Sequence, residues 1–181
     1  NLFAEQGWLS MPFSEESGGF GFGAIELSIL FEEFGKALVI EPYLSTVVLS
    51  GTILDKSFYS NKLDIIESIC SGAMHVSLAY AESSNKYDYL NPVTNINSEN
   101  VLNGTKALVL NGANASKIIV SATSDSGFTL AIVDSNHDGV SITSFPTVDG
   151  QSCAEVSFEN VVLGEDSIIA QGDEAKELLL D

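Results

Sequence analysis

The spacing of the apolar residues changes near residue 74, and no other feature constrains the fold of this chain as much. Before that point the spacing is helical. Leu27, Leu30, Phe31 and Phe34 fall at i, i+3, i+4 and i+7, on one stripe of a helix. Gly35 reads as the cap that ends it. Pro42 opens a second helical run with Leu44, Val47, Val48 and Leu49, closed by Gly51. Asn61 reads as the N-cap of a third helix in which Leu63, Ile66, Ile69 and Cys70 share a face.

After residue 74 the apolar runs shorten to strand length. They are 75–80, 107–110, 118–120, 128–133, 140–143 and 154–158, rich in Val, Ile and Leu. Asn103-Gly104, Asn111-Gly112, Ser126-Gly127, Asp138-Gly139 and Asp149-Gly150 punctuate them as turns. This cadence predicts an antiparallel barrel or sandwich. From Asp173 the spacing is helical again, with Ala175, Leu178, Leu179 and Leu180, and the chain ends at Asp181 inside that pattern. The expected class is therefore α+β. It has a helical domain over 1–73, a middle β-domain over 74–165, and a linker with the start of a further helical domain over 166–181.

Composition narrows the function. Twenty-five acidic residues against seven basic ones give a net charge of −18, which disfavours binding to nucleic acid or to anionic lipid. No apolar run reaches the roughly 20 residues of a membrane span. Cys70 and Cys153 sit in apolar contexts and read as reduced thiols of a cytoplasmic protein. The chain begins at Asn1 without a signal-like segment, and its lack of an initiator Met gives the expectation that the N-terminal domain is incomplete at its start.

Candidate chemistry is sparse. Ser17-Gly18-Gly19-Phe20-Gly21-Phe22-Gly23 is glycine-rich, but no strand precedes it and no Gly-Lys-Ser/Thr follows, so it reads as a turn before a helix. His75 and His137 lack a second ligand at zinc spacing, so no metal site is expected. Glu32 and Glu33 are helix neighbours about 100° apart and do not converge on one substrate atom. Glu82 ends a strand and opens a polar loop, so a direct chemical role there is a minor alternative to a structural one.

Five segments, in order, resemble the acyl-CoA dehydrogenase family. Gly7-Trp8-Leu9-Ser10-Met11-Pro12-Phe13-Ser14-Glu15-Glu16-Ser17-Gly18-Gly19 resembles its N-terminal motif, and Glu32-Glu33-Phe34-Gly35-Lys36 the helix end that follows. Leu102-Asn103-Gly104-Thr105-Lys106 matches the Leu-Asn-Gly-x-Lys motif of the middle domain. The run from Ala115 to Ala122 resembles the next strand, and Ala154 to Val161 the segment closing that domain. Within the family the nearest resemblance is to the small subunit of pimeloyl-CoA dehydrogenase, through Tyr80-Ala81-Glu82, Tyr87-Asp88-Tyr89-Leu90 and the run from Lys106 to Gly112.

The resemblance implies N-terminal helices, a middle β-barrel and a C-terminal four-helix bundle, with the chain stopping before the bundle. It implies FAD between the last two domains, usually completed by another subunit of a homo- or hetero-oligomer. The catalytic base, a glutamate of the bundle, takes the α-proton of an acyl-CoA. Hydride passes from the β-carbon to the flavin, giving a trans-2-enoyl-CoA, and an electron-transfer flavoprotein is the usual acceptor. By position, Leu78, Ala79, Tyr80 and Ala81 would line the flavin from the first strand, and Leu108, Val109 and Leu110 from the following one. Tyr87 would stand where the loop meets flavin and acyl-CoA. Leu44, Val47, Val48 and Gly51 would border the acyl tunnel. No catalytic residue is expected in the chain itself, so the polypeptide alone is expected to be inactive.

The chain also departs from the family pattern. Ala81 replaces a flavin-bonding threonine, Tyr87 a loop serine, and Leu108-Val109-Leu110 the sequence Trp-Ile-Thr. A missing hydrogen bond to a buried flavin edge weakens binding by about 1–3 kcal/mol. These losses give the alternative expectation of a non-catalytic subunit that completes a partner's site.

Overall fold

The computed structural model describes residues 2–85 and 87–181. Four α-helices come first: α1 (Leu2–Glu5), α2 (Ala24–Ala37), α3 (Thr52–Lys56) and α4 (Lys62–Cys70). Eight strands follow: β1 (Val76–Ala79), β2 (Asn95–Ile96), β3 (Val101–Leu110), β4 (Lys117–Ser124), β5 (Gly127–Asp134), β6 (Val140–Pro146), β7 (Ser152–Val162) and β8 (Ile168–Gln171). Helix α5 (Gly172–Leu180) comes last.

Helix boundaries differ from the sequence expectation in three places. Gly35 lies inside α2, and Leu38, in a left-handed conformation (φ 51°), caps it instead. The Pro42 run is a π-helix, Leu44–Gly51, and Gly51 passes directly into α3 rather than ending the run. A Cβ on Gly51 would lie 2.6 Å from the Phe13 ring, so the glycine is there for close packing. Asn61 precedes α4 but makes no side-chain cap bond.

The strands form one sheet in the order β6-β7-β3-β2-β4-β5-β8, with β1 also on β4. The sheet is not closed into the expected barrel, because the outer strands β6 and β8 do not pair with each other. Nor is it purely antiparallel: β1 and β2 both run parallel to β4. Asn103-Gly104, expected as a turn, lies within β3, where the strand passes so close to Thr94 that a Cβ on Gly104 would sit 2.7 Å from the Thr94 Cα. Residues 168–171, expected as linker, are β8 and pair with β5.

At β4 and β5 both faces of the sheet are buried, because successive side chains of these continuously buried runs point to opposite faces. Ile119 of β4 and Phe128, Leu130 and Ile132 of β5 face the helices, packing with Phe13, Leu54 and Ile66. Ile118, Val120, Ala131 and Val133 face the other way and join Val109, Val156 and Phe158 in a second core. The residues buried in that second core come almost wholly from the sheet and its connections, so the curvature of the sheet encloses it.

Candidate functional site

The parallel strands β1 and β2 fill one position beside β4. Ala79 stands opposite Val120 and Asn95 opposite Thr123, so the chain between them is looped out of the sheet. The neck of this excursion is closed by one side chain. The Glu82 carboxylate accepts hydrogen bonds from the backbone N–H of Val93 (2.7 Å) and of Thr94 (3.0 Å). Thr94 in turn accepts from the Thr123 N–H on β4.

The same carboxylate lies 2.7 Å from Lys106 Nζ of β3, and the two side chains are 4% and 0% exposed. Lys106 also donates to Ser121 Oγ at 3.0 Å. Burial alone pushes the Glu82 carboxyl up, but the bonds from Lys106, Thr94 and Val93 outweigh it and hold the group at about 2. Burial pushes the Lys106 ammonium below the usual lysine range, and Glu82 opposes that shift. Three bonds thus converge on a carboxylate for which the sequence offered only a strand end and a polar loop.

Beside this network opens a pocket of about 510 Å³, lined by Tyr80, Ala81, Glu82, Ser83, Tyr87, Tyr89, Ala107, Leu108, Phe145 and Glu155. Leu108 projects into it from a bulge. On β3, Lys106 is opposite Val156 and Val109 opposite Ala154, so β3 carries one residue more than β7 between them. Leu108 absorbs the extra residue with φ 54°, a left-handed conformation disfavoured for leucine, and is 60% exposed. Tyr87 is 87% exposed. The Tyr80 and Tyr89 rings meet edge to face at 5.0 Å.

The structure therefore brings together four of the residues expected at the flavin: Tyr80, Ala81, Tyr87 and Leu108. It places the others elsewhere. Leu78 faces the helical core and Ala79 the second core. Val109 is fully buried, because its side chain alternates inward where Leu108 turns outward. Leu110 is half-buried opposite Cys153 and does not line the pocket. Sequence reasoning missed Tyr89, Phe145 and Glu155. Tyr89 was visible in the loop, whereas Phe145 and Glu155 arrive through the pairing of β6 and β7, which no local spacing encodes.

The residues expected at the acyl tunnel divide by face. Leu44 is partly exposed and Val48 half-buried, while Val47 and Gly51 are buried. Val47 lines a cavity of about 50 Å³ with Thr46 and His75. Thr46 Oγ1 and His75 Nδ1 are buried without a hydrogen-bond partner among the described residues. His137 Nδ1 accepts from the Gly139 N–H, and Glu32 and Glu33 pair with Lys36 on the surface. Cys70 and Cys153 are free thiols. Among the described residues no cluster of three or more His, Cys, Asp or Glu could hold a metal, and no helix is long and apolar enough to cross a membrane.

The pocket fits one part of a flavin. Its exposed leucine and aromatic side chains suit a flat ring. Its described lining has no lysine or arginine, and Glu155 adds negative charge, so a diphosphate finds no countercharge among the described lining residues.

A mycobacterial protein, acyl-CoA dehydrogenase FadE29 of Mycobacterium tuberculosis, is 25% identical over 165 residues, covering 86% of this chain and 43% of that protein. The ChsE4–ChsE5 complex of Mycobacterium tuberculosis superposes with a TM-score of 0.87 at 24% identity, over 98% of this chain and 48% of that one. PigA with FAD and proline gives 0.87 at 18% identity, over 98% of this chain and 51% of that one. At these identities the two structures share the fold, and the chain spans about half the length of the proteins it matches. Residues 1–72 match the model of the acyl-CoA dehydrogenase N-terminal domain and residues 77–161 that of the middle domain, so the chain belongs to the acyl-CoA dehydrogenase family.

Proposed function

We propose that the chain supplies the helical and sheet half of a flavin-dependent dehydrogenase that oxidises an acyl-CoA to the trans-2-enoyl-CoA. The convergence of Tyr80, Ala81, Tyr87 and Leu108 on one open apolar pocket carries this reading. FAD, when bound, supplies the acceptor for the hydride leaving the β-carbon. Leu108 and the tyrosines hold the ring and keep water from its face. Val109 and Leu110 support the bulge from within the strand, and Leu78 and Ala79 belong to the strand that leads into Tyr80. On the helical side Leu44, Val47, Val48 and Gly51 form the acyl wall.

We assign the base that takes the α-proton to a residue outside this chain. Glu82 is committed to Lys106 and, held at about 2, is too weakly basic for the task. On this reading the chain alone is inactive. The subfamily we favour is the small-subunit type of pimeloyl-CoA dehydrogenase, on the strength of Tyr80-Ala81-Glu82 and the Tyr87–Leu90 run. An electron-transfer flavoprotein is the proposed acceptor, and the two free thiols favour a cytoplasmic setting.

A second reading, a non-catalytic subunit completing a partner's site, is favoured by a described pocket lining without lysine or arginine and by Ala81 and Leu110, which stand where the family pattern that the chain resembles carries threonine. Titration separates the two. If the chain holds the ring itself, both riboflavin and FAD lose fluorescence on binding, with FAD no tighter than riboflavin. If it only completes a partner, neither flavin binds until a second dehydrogenase subunit is added. No binding in either case overturns both readings.

A further inference from the structure

We propose that Glu82 and Lys106 form one positioning element that sets both walls of the ring pocket together. The proposal rests on the flavin reading for its purpose, but its geometry stands independently.

One wall is the excursion that carries Tyr87 and Tyr89. Its neck is held by the bonds from the Val93 and Thr94 N–H groups to Glu82. The opposite wall is Leu108, and its placement follows from Lys106. Along β3, Leu102 and Lys106 are buried in step with the two-residue alternation of a strand, but the next buried position is Val109, three residues on. Two inward anchors an odd number of residues apart force an extra residue into the strand. Lys106 is held inward by Glu82 and Ser121, and Val109 by the second core. The bulge therefore falls at Ala107-Leu108 and turns Leu108 out into the pocket.

A third contact closes the circuit: the Ala107 N–H donates to the Ala81 carbonyl at 2.8 Å, joining the bulge to the strand end that precedes Glu82. Glu82 makes no hydrogen bond to Leu108 or Tyr87, so it reaches them indirectly, through the bonds to Lys106, Val93 and Thr94 and through the Ala81–Ala107 bond.

The test is backbone hydrogen exchange on the full chain, comparing wild type with Glu82→Gln, which keeps an oxygen acceptor and removes the charge. The expected result is a joint loss of protection, roughly tenfold or more, at Val93 and Thr94 and also at Ala107, with strands β4 and β5 unchanged. Loosening confined to Val93 and Thr94 would overturn the proposal. Should Glu82→Gln not fold, the double variant E82Q/K106M replaces it; there too both walls must loosen, and wild-type protection at either wall would overturn it. Riboflavin titration of the same proteins separates this idea from the functional reading. A wild type that ignores riboflavin defeats the flavin reading alone and leaves the exchange result to decide the coupling. A wild type that binds riboflavin, but no more tightly than Glu82→Gln does, defeats the positioning role alone.

Discussion

Lys106 Nζ lies 2.7 Å from Glu82 Oε1, and both side chains are almost wholly buried. Lys106 belongs to a strand motif and Glu82 to the loop that follows β1, 24 residues earlier, so the pair ties two separate segments at the edge of the pocket.

Removing one partner leaves an uncompensated buried charge. Lys106→Met or Glu82→Gln alone is expected to lower stability by about 3–5 kcal/mol in chemical denaturation. The double variant should recover a substantial part of that loss, because two neutral side chains need no ion pair. Additive losses would contradict this.

Stability should depend on pH in a defined window. The Glu82 carboxyl titrates at about 2 in the folded chain and near the ordinary glutamate value of about 4.3 when unfolded. Its contribution is therefore complete above the unfolded value and fades as pH falls through the folded one. That contribution is about 3 kcal/mol. Denaturation between neutral pH and acid should show this loss, and the double variant E82Q/K106M should show less of it.

Leu108 carries strain for the sake of position. Asparagine tolerates the left-handed region better, so Leu108→Asn should raise stability by about 0.5–1 kcal/mol, the side chain being largely exposed. The same change should weaken riboflavin binding several-fold by removing apolar surface from the ring. A variant that gains stability and keeps its affinity would show that Leu108 does not contact the ring.

Close packing predicts a contrast between glycines. Gly51→Ala drives a Cβ against the fully buried Phe13 ring, and Gly104→Ala drives one against the Thr94 backbone. Each is expected to cost about 1–3 kcal/mol. Only Gly104→Ala should also loosen the Val93 and Thr94 amides, which hydrogen exchange would read directly.

Much of the fold was legible because periodicity is local. The stripe of Leu27, Leu30, Phe31 and Phe34 became α2, and the Phe128–Val133 run became β5. What stayed hidden is non-local. Asn103-Gly104 has the chemistry of a turn, yet tertiary packing against Thr94 keeps it within β3. Barrel closure was an inference from strand cadence, which counts strands but does not say whether the outermost two meet. The strands β2 and β8 are two and four residues long, too short for a pattern. At the site, position along the strand was readable, but the side each residue faces was not. A single bulge exchanged the faces of Leu108 and Val109, and it follows from two inward anchors, Lys106 and Val109, that stand an odd number of residues apart.

The most direct test of the central claim is residue-resolved NMR of the chain titrated with riboflavin. The account predicts that the shifts concentrate at Ala81, Tyr87, Ala107 and Leu108. Shifts centred instead on the separate pocket formed by Tyr59, Lys117 and His137, or none at saturating riboflavin with or without a partner subunit, would contradict it.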